Sequence, residues 1–384
     1  MKKTIVKILS YVLVAVIAAG TTAIGFGVQQ LQSTDKLQQV QSLLERYFIG
    51  DIDEKKLEDA AASAMVDALG DQWSYYMTAE QFLSYKEYMT NSYVGVGITV
   101  RNREDRQGID VVAVTDGGPA QEAGILPGDI LVSVDGNSIL GMDANDLTGV
   151  IRGEEGAAVK LTVKRGQEQL EYTITRKKFQ TPVATYQMLE DKIGLITIEN
   201  FDERCAEETI AAIEALVGQG AEALVFDVRN NPGGYKTEML KILDYLLPEG
   251  PLFRSVDYQG REQVDYSDAS YLDIPMAVVV NLRSYSAAEF FAAALDEYDA
   301  AMIVGEKTYG KGHFQNTFQL SDGSAVNLSV GKYTTPNGKS LVGVGLTPEV
   351  EVVVDNATAE KIAAGILDPA EDPQIIAAIN ALKG

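Results

Sequence analysis

Residues 275–291 read PMAVVVNLRSYSAAEFF, an apolar run from Met276 to Val280 that ends in a serine turn and then enters a helix near Ala287. An unbroken run of β-forming residues closed by Asn281 reads as a strand. Similar runs stand on either side. KIGLITIENF (192–201), ALVFDV (223–228) and AMIVG (301–305) alternate with the helical stretches CAEETIAAIEALV (205–217) and EFFAAALDEYDA (289–300). That alternation predicts an α/β core over residues 179–384. In such sheets chemistry sits where strands end and the chain leaves for a helix. Three exits stand out: RNNPGG (229–234), the Ser284–Tyr285–Ser286 turn, and EKTYGKGHFQ (306–315), which holds a lysine between two glycines.

Upstream, residues 91–178 change to short alternating strands broken by glycine, among them YVGVGITV (93–100) and GGPAQEAGILPGDILVSVDG (117–136). This predicts a small β-rich module. Gly95 and Gly97 flank Val96 just before a strand that opens at Ile98. A loop of that kind turns successive N–H groups toward one point and can hold a carboxylate, and the strand behind it can accept an added peptide strand. Residues 31–90 form a helical region. Leu37, Val40, Leu44 and Tyr47 fall at helical spacing, Leu57 to Ala68 run from an Asp53 cap to a Gly70 stop, and Thr78 with Gln81 forms a capping box ahead of Phe82. The aromatic stretch DQWSYYMTAEQF (71–82) reads as a buried joint between this region and the next.

Residues 1–30 carry Lys2, Lys3 and Lys7 ahead of the uncharged run Ile8–Val28. At about 1.5 Å per residue a helix of that length crosses a hydrocarbon core of about 30 Å. The expectation is a single-pass anchor in the cytoplasmic membrane with the body on the extracytoplasmic side; the alternative is a cleaved signal segment and a secreted body. The formal charge of −23, from 55 acidic and 32 basic residues, repels nucleic acid and excludes it as a partner. One cysteine, Cys205, and one histidine, His313, leave no disulfide and no zinc cage, so the expectation is no metal and no cofactor.

A serine at a strand-to-helix turn sits where free N–H groups favour developing negative charge. It needs a base, and two residues qualify. His313 qualifies by type; Lys311 qualifies if a desolvated pocket lowers its amine from an ordinary pKa of about 10.4. Gln315, four positions after Lys311, is in reach to orient the amine. Ser284 is a rival nucleophile, but helix begins directly after Ser286. Cys205 opens a helix with no histidine nearby in sequence and reads as structural.

Two resemblances sharpen this reading. GVGI (95–98), GGPAQEAGILPGDILVSVDG and NDLTGVIRG (145–153) resemble a PDZ domain of the circularly permuted bacterial type. That likeness implies that Gly95, Val96, Gly97 and Ile98 bind a peptide's C-terminal carboxylate and that Leu147–Ile151 is the groove helix. SYSAAEFF, YGKGHFQ, RNNPGG and KYTTPNGKSLVGVGLTPEVEV (332–352) resemble the carboxyl-terminal processing proteases, serine peptidases with a Ser–Lys pair. The likeness covers most of residues 70–384 and implies a peptidase core related to the crotonase-like superhelical fold. Carried over, Ser286 is the nucleophile, Lys311 the general base and Gln315 its partner, with an oxyanion hole from Ala287 and one of Gly233 or Gly234. Arg283 and Tyr285 depart from the small residues expected around the serine.

The implied substrates are extracytoplasmic proteins or peptides with free apolar C-termini. The resemblance further implies gating by the PDZ domain, for which Arg152 is a coupling candidate, and a homodimer through the terminal segments. Two rivals stand beside this reading: a membrane-anchored PDZ scaffold without activity, and a Ser–His hydrolase that uses His313.

Overall fold

The computed structural model describes residues 36–383, which fall into two compact units, one ending at Ala68 and one beginning at Leu69. The expected anchor, Ile8–Val28, lies outside the described residues. Among those described, no helix is long and apolar enough to cross a membrane.

The first unit holds the helices Lys36–Tyr47 and Glu54–Asp67. Asp53 caps the second, its carboxylate accepting from the Lys56 N–H at 3.0 Å.

The second unit is built on a six-stranded sheet in the order Ala184–Met188, Ile193–Ile198, Ala223–Asp227, Met276–Val280, Ala301–Gly305, Val350–Glu351. The first pair is antiparallel and every later pair parallel. Strand periodicity then sorts the side chains. Leu224, Phe226, Val278 and Val280 join one core with the helices Cys205–Gly218, Lys236–Leu246 and Ala287–Glu297. Val225, Ala277 and Val279 face the other way, onto Ile375 and Ala378 of the C-terminal helix Pro373–Lys383. The unbroken apolar runs follow from this burial on two faces.

A second sheet joins this core through Phe253 and Tyr333. Its middle strand, Ala325–Thr334, pairs with His313–Gln319, Gly250–Asp257 and Tyr75–Met77. The last of these lies inside the region 31–90 read from sequence as helical. The aromatic stretch is a joint of a specific kind, a short edge strand followed by the helix Ala79–Met89 with its Thr78–Gln81 capping box, and Met77 and Phe82 pack on Ala325.

Residues 98–175 form a separate antiparallel sheet in the order Ile98–Asn102, Ile109–Val114, Ile130–Val134, Ala158–Arg165, Glu168–Thr175. Its core gathers Val111, Leu131, Leu161 and Val163 with Leu147 and Ile151 of the helix Ala144–Ile151. Two short strands, Ser92–Gly95 and Lys177–Gln180, pair where the chain enters and leaves this module.

The exit at RNNPGG is anchored from behind. Arg229, whose side chain is only 5% exposed, forms ion pairs with Asp227 at 2.6 Å and Asp372 at 2.8 Å and donates to Gln374. It ties the end of a central strand to the start of the C-terminal helix. Arg229→Ala strands two buried carboxylates, and chemical denaturation is expected to show a loss of about 3–5 kcal/mol, the range for breaking a buried pair.

Candidate active site

The strands Ala223–Asp227, Met276–Val280 and Ala301–Gly305 are neighbours in one parallel sheet, so their three exits emerge side by side. The serine turn stands in the middle. Ser284 is fully buried and serves the turn itself: its hydroxyl donates to the Val228 carbonyl at 2.7 Å and accepts from the Asn281 N–H at 3.0 Å. Ser286 is half-buried at the start of the helix Ala287–Glu297, with φ 60° and ψ −126°. A positive φ at a residue with a side chain is a strained conformation, and it is held here by the surrounding loop. The Tyr285 N–H bonds to the Asn231 carbonyl at 3.1 Å. Ser286 is also the N-cap of its helix, in a capping box with Glu289, but it is half-buried where Ser284 is fully buried.

Gly233 lies directly against it. A Cβ built on Gly233, at φ 91°, would fall 2.7 Å from Ser286 Cβ and 2.9 Å from the Ala287 nitrogen. Only glycine allows that approach. The Gly233 N–H is engaged within its own loop, donating to Asn231 Oδ1 at 2.8 Å, while Asn231 Nδ2 holds the Ile198 carbonyl. Gly234 is set against Phe201 at φ 147°.

Lys311 arrives on the third exit. Its ammonium stands 4.2 Å from the centre of the Trp73 ring and 5.9 Å from that of Tyr285. Trp73, Tyr285 and Tyr309 lie with their ring centres 5.6–5.9 Å apart, a three-sided aromatic enclosure. Burial lowers the Lys311 amine to about 8, and the nearby Asp71 and Glu289 carboxylates resist that fall. Tyr285, a departure from the expected small residue, is thus one wall of the lysine's enclosure.

The residue that binds the two exits together is Glu289, which the sequence reading did not single out. It is fully buried on the first turn of the helix after Ser286. Its Oε2 accepts from the Ser286 N–H at 3.1 Å and the Lys311 N–H at 2.8 Å; its Oε1 accepts from the Gly310 N–H at 2.6 Å and the Thr308 hydroxyl at 2.5 Å. Burial pushes its carboxyl up, against the pull of these four donors. A signal was present in sequence: a lone acid in AAEFFAAAL, three positions after a serine, is the pattern of a cap turned inward.

Other residues take definite places. Tyr333, also missed, donates from its hydroxyl to Ser286 Oγ at 3.0 Å. Gln315 donates from its amide to the His313 carbonyl and to Ser329 Oγ, both at 3.1 Å. His313 opens a strand and pairs with Lys332. Cys205 is buried, and burial pushes its thiol far up. A cavity of about 570 Å³ is lined by Asp71, Trp73, Tyr309, Gly310 and His313. Among the described residues no group of three or more His, Cys, Asp or Glu is placed to hold a metal ion.

Gly95, Val96, Gly97 and Ile98 stand apart from this cluster, at the mouth of the β-rich module. Gly97 has φ 77°, and a Cβ there would meet Phe179 at 2.9 Å. The Val96 and Gly97 carbonyls accept from the Ala120 and Thr115 N–H groups, both at 2.9 Å. Ile98–Asn102 is an edge strand, and the helix Ala144–Ile151 is tied to its far end by the Ala144 N–H donating to Asn102 Oδ1 at 2.8 Å. The Arg152 guanidinium lies 5.6 Å over Tyr93, which stacks on Phe179 at 5.2 Å.

Comparison with known proteins agrees with this division. A profile for peptidase family S41 matches residues 192–352, one for PDZ domains matches 111–165, and one for the N-terminal domain of the activating protease CtpB matches 19–81. The carboxy-terminal processing protease CtpA of Bacillus subtilis (strain 168) is 33% identical over 83% of this chain and 68% of its own length. A "Probable CtpA-like serine protease" of Staphylococcus aureus (strain N315) is 33% identical over 83% of this chain, a match that spans 64% of the staphylococcal protein. The crystal structure of a Bacteroides fragilis NCTC 9343 protein named for the S41 proteases aligns with a TM-score of 0.54 at 16% identity, covering 84% of this chain and 90% of that one; it bears on the fold alone.

Replacing Glu289 tests the clamp. Glu289→Gln keeps the volume but must turn an NH₂ toward two of the four donors. Urea unfolding is expected to show a loss of about 1–3 kcal/mol, the cost of leaving buried donors without an acceptor.

Proposed function

This chain belongs to the carboxy-terminal processing proteases of peptidase family S41, and on that footing we propose that it is a serine endopeptidase working by a Ser286–Lys311 pair. The observation that carries the reading is that one buried carboxylate, Glu289, bonds both the Ser286 and the Lys311 backbone N–H groups while Lys311 is desolvated among aromatic rings. A lysine serves as general base only when neutral, and its lowered pKa makes the neutral form accessible.

In the proposed reaction Ser286 Oγ attacks the scissile carbonyl carbon and Lys311 Nζ takes the hydroxyl proton. The carbonyl oxygen collects the π electron pair. The Ala287 N–H, first in its helix and without an intrahelical acceptor, would hold that oxyanion together with the Gly234 N–H, because the Gly233 N–H is already bonded to Asn231. Lys311 then protonates the leaving amine as the C–N bond breaks, and water repeats the sequence on the acyl-enzyme. Gln315 is assigned as the orienting partner through its side-chain carbonyl, its nitrogen being bonded to His313 and Ser329.

The PDZ module is assigned the capture of apolar C-terminal tails. The carboxylate would sit at Gly95–Ile98 and the tail would add to the edge strand Ile98–Asn102. The stacking of Arg152 on Tyr93 supports its assignment as the link from groove to core. An Ile8–Val28 anchor, an extracytoplasmic body, a homodimer and a crotonase-like ancestry for the core belong to the same proposal.

Incubating the full chain with β-casein and reading fragments by mass spectrometry tests it. Ser286→Ala and Lys311→Ala are expected to lower cleavage by about a thousandfold or more, and His313→Ala to leave it within about threefold. Cleavage surviving in Lys311→Ala but lost in His313→Ala would support a Ser–His hydrolase instead, and no cleavage by wild type with tail peptides still bound would support a scaffold. Because Lys311 must be unprotonated, kcat/KM is expected to rise with pH, level off above about 8, and fall by about tenfold per unit below it.

A further inference from the structure

We propose that Tyr333 is a further catalytic residue, whose hydroxyl stabilises Ser286 Oγ when that oxygen carries negative charge, above all as the acyl-enzyme breaks down. The proposal rests on the Ser286–Lys311 reading above.

Tyr333 is 5% exposed, and its hydroxyl donates to Ser286 Oγ at 3.0 Å. Its ring is enclosed by other aromatics: Phe290 edge-on at 4.4 Å between centres, Phe253 at 5.3 Å and Phe314 at 6.3 Å. A phenylalanine would complete that cluster with no polar atom to satisfy. Burying a hydroxyl is costly unless it finds a partner, and the partner here is the candidate nucleophile. The backbone is held with equal care, the Tyr333 N–H donating to the carbonyl of Gly312, next to Lys311, at 3.1 Å. One residue therefore touches the nucleophile through its side chain and the lysine loop through its main chain.

Direction of donation decides the role. With the phenol proton on one Oγ lone pair, the serine proton is left for Lys311. Burial and the nearby Glu289 hold the phenol above its ordinary range, so it stays neutral and cannot act as the base. When Ser286 gives its proton to Lys311 and forms the bond to the acyl carbon, the hydrogen bond is strongest before that bond is complete. In the second half-reaction water bonds to the acyl carbon and gives a proton to Lys311. The carbon–Oγ bond then breaks, its electron pair returns to Oγ, and Lys311 protonates that oxygen. The Tyr333 proton stays on its own oxygen throughout, and its hydrogen bond offsets the charge of the departing alkoxide.

The test is Tyr333→Phe in the full chain with p-nitrophenyl acetate, following turnover and, by intact mass, acetylation of Ser286. Turnover is expected to fall by about tenfold or more, with the acetyl group leaving Ser286 correspondingly more slowly once excess ester is removed and the thermal midpoint little changed. Turnover within about twofold of wild type, or a fall with the decay of the acetyl-enzyme unchanged, overturns the proposal. Ser286→Ala and Lys311→Ala run alongside: activity surviving in either overturns the Ser–Lys reading, whereas activity lost in both with Tyr333→Phe behaving as wild type overturns this inference alone. Should Tyr333→Phe fail to fold, 3-fluorotyrosine in place of Tyr333 keeps the packing and makes the hydroxyl a stronger donor. It is expected to speed the decay of the acetyl-enzyme by about twofold, and an unchanged decay overturns the proposal.

Discussion

A single buried carboxylate organises the functional end of this protein. Glu289 sits on the buried first two turns of its helix among alanine, phenylalanine and leucine, where an unpaired charge would cost several kcal/mol. Its oxygens are satisfied only if the start of its own helix and the loop from Thr308 to Lys311 both turn toward it. Thr308 extends the set by accepting from the Leu346 N–H at 2.7 Å, which draws in the segment after the second sheet. The penalty for leaving any of these groups unpaired holds Ser286 and Lys311, 25 positions apart in the chain, to one small region.

That clamp works because topology has already brought the exits together. Parallel pairing sets the ends of three neighbouring strands at one edge of the sheet. Helices on both faces leave that edge as the open place for chemistry. Behind it, the Arg229 ion pairs join the RNNPGG loop to the C-terminal helix, so a glycine-rich loop that must stay strained near Ser286 has a rigid foot.

The environment of Lys311 comes from a third quarter. Trp73 is delivered by the segment ahead of the Tyr75–Met77 edge strand, which joins the second sheet through Asn327 and Val326. Lys311 within the core thus takes its desolvation from a stretch far upstream in sequence. The β-rich module is joined to the core through the pair Ser92–Gly95 and Lys177–Gln180, where Tyr93, Phe179 and Arg152 stack.

The local patterns were legible: apolar runs that read as strands, an Asp53 cap, a Thr78–Gln81 box, and a serine followed at once by helix. These depend on neighbours within a few residues, and such short-range preferences are written directly in sequence. Ser286, Lys311, Gly233 and Gly234 could be named for the same reason, each carrying a local signature of turn or flanking glycine. Glu289 left a fainter mark, Trp73 showed only as part of an aromatic stretch read as a buried joint, and Tyr333 left none, because their roles arise from contacts over 47 positions to Ser286 and from Trp73 to Lys311 across most of the chain. The sequence by itself determined the α/β core, the separate β-rich module and the residue types that chemistry requires. Tertiary structure alone decided which donors surround the buried carboxylate, which rings strip water from the lysine, and which hydroxyl meets the serine, since burial and pairing exist only once distant segments have packed.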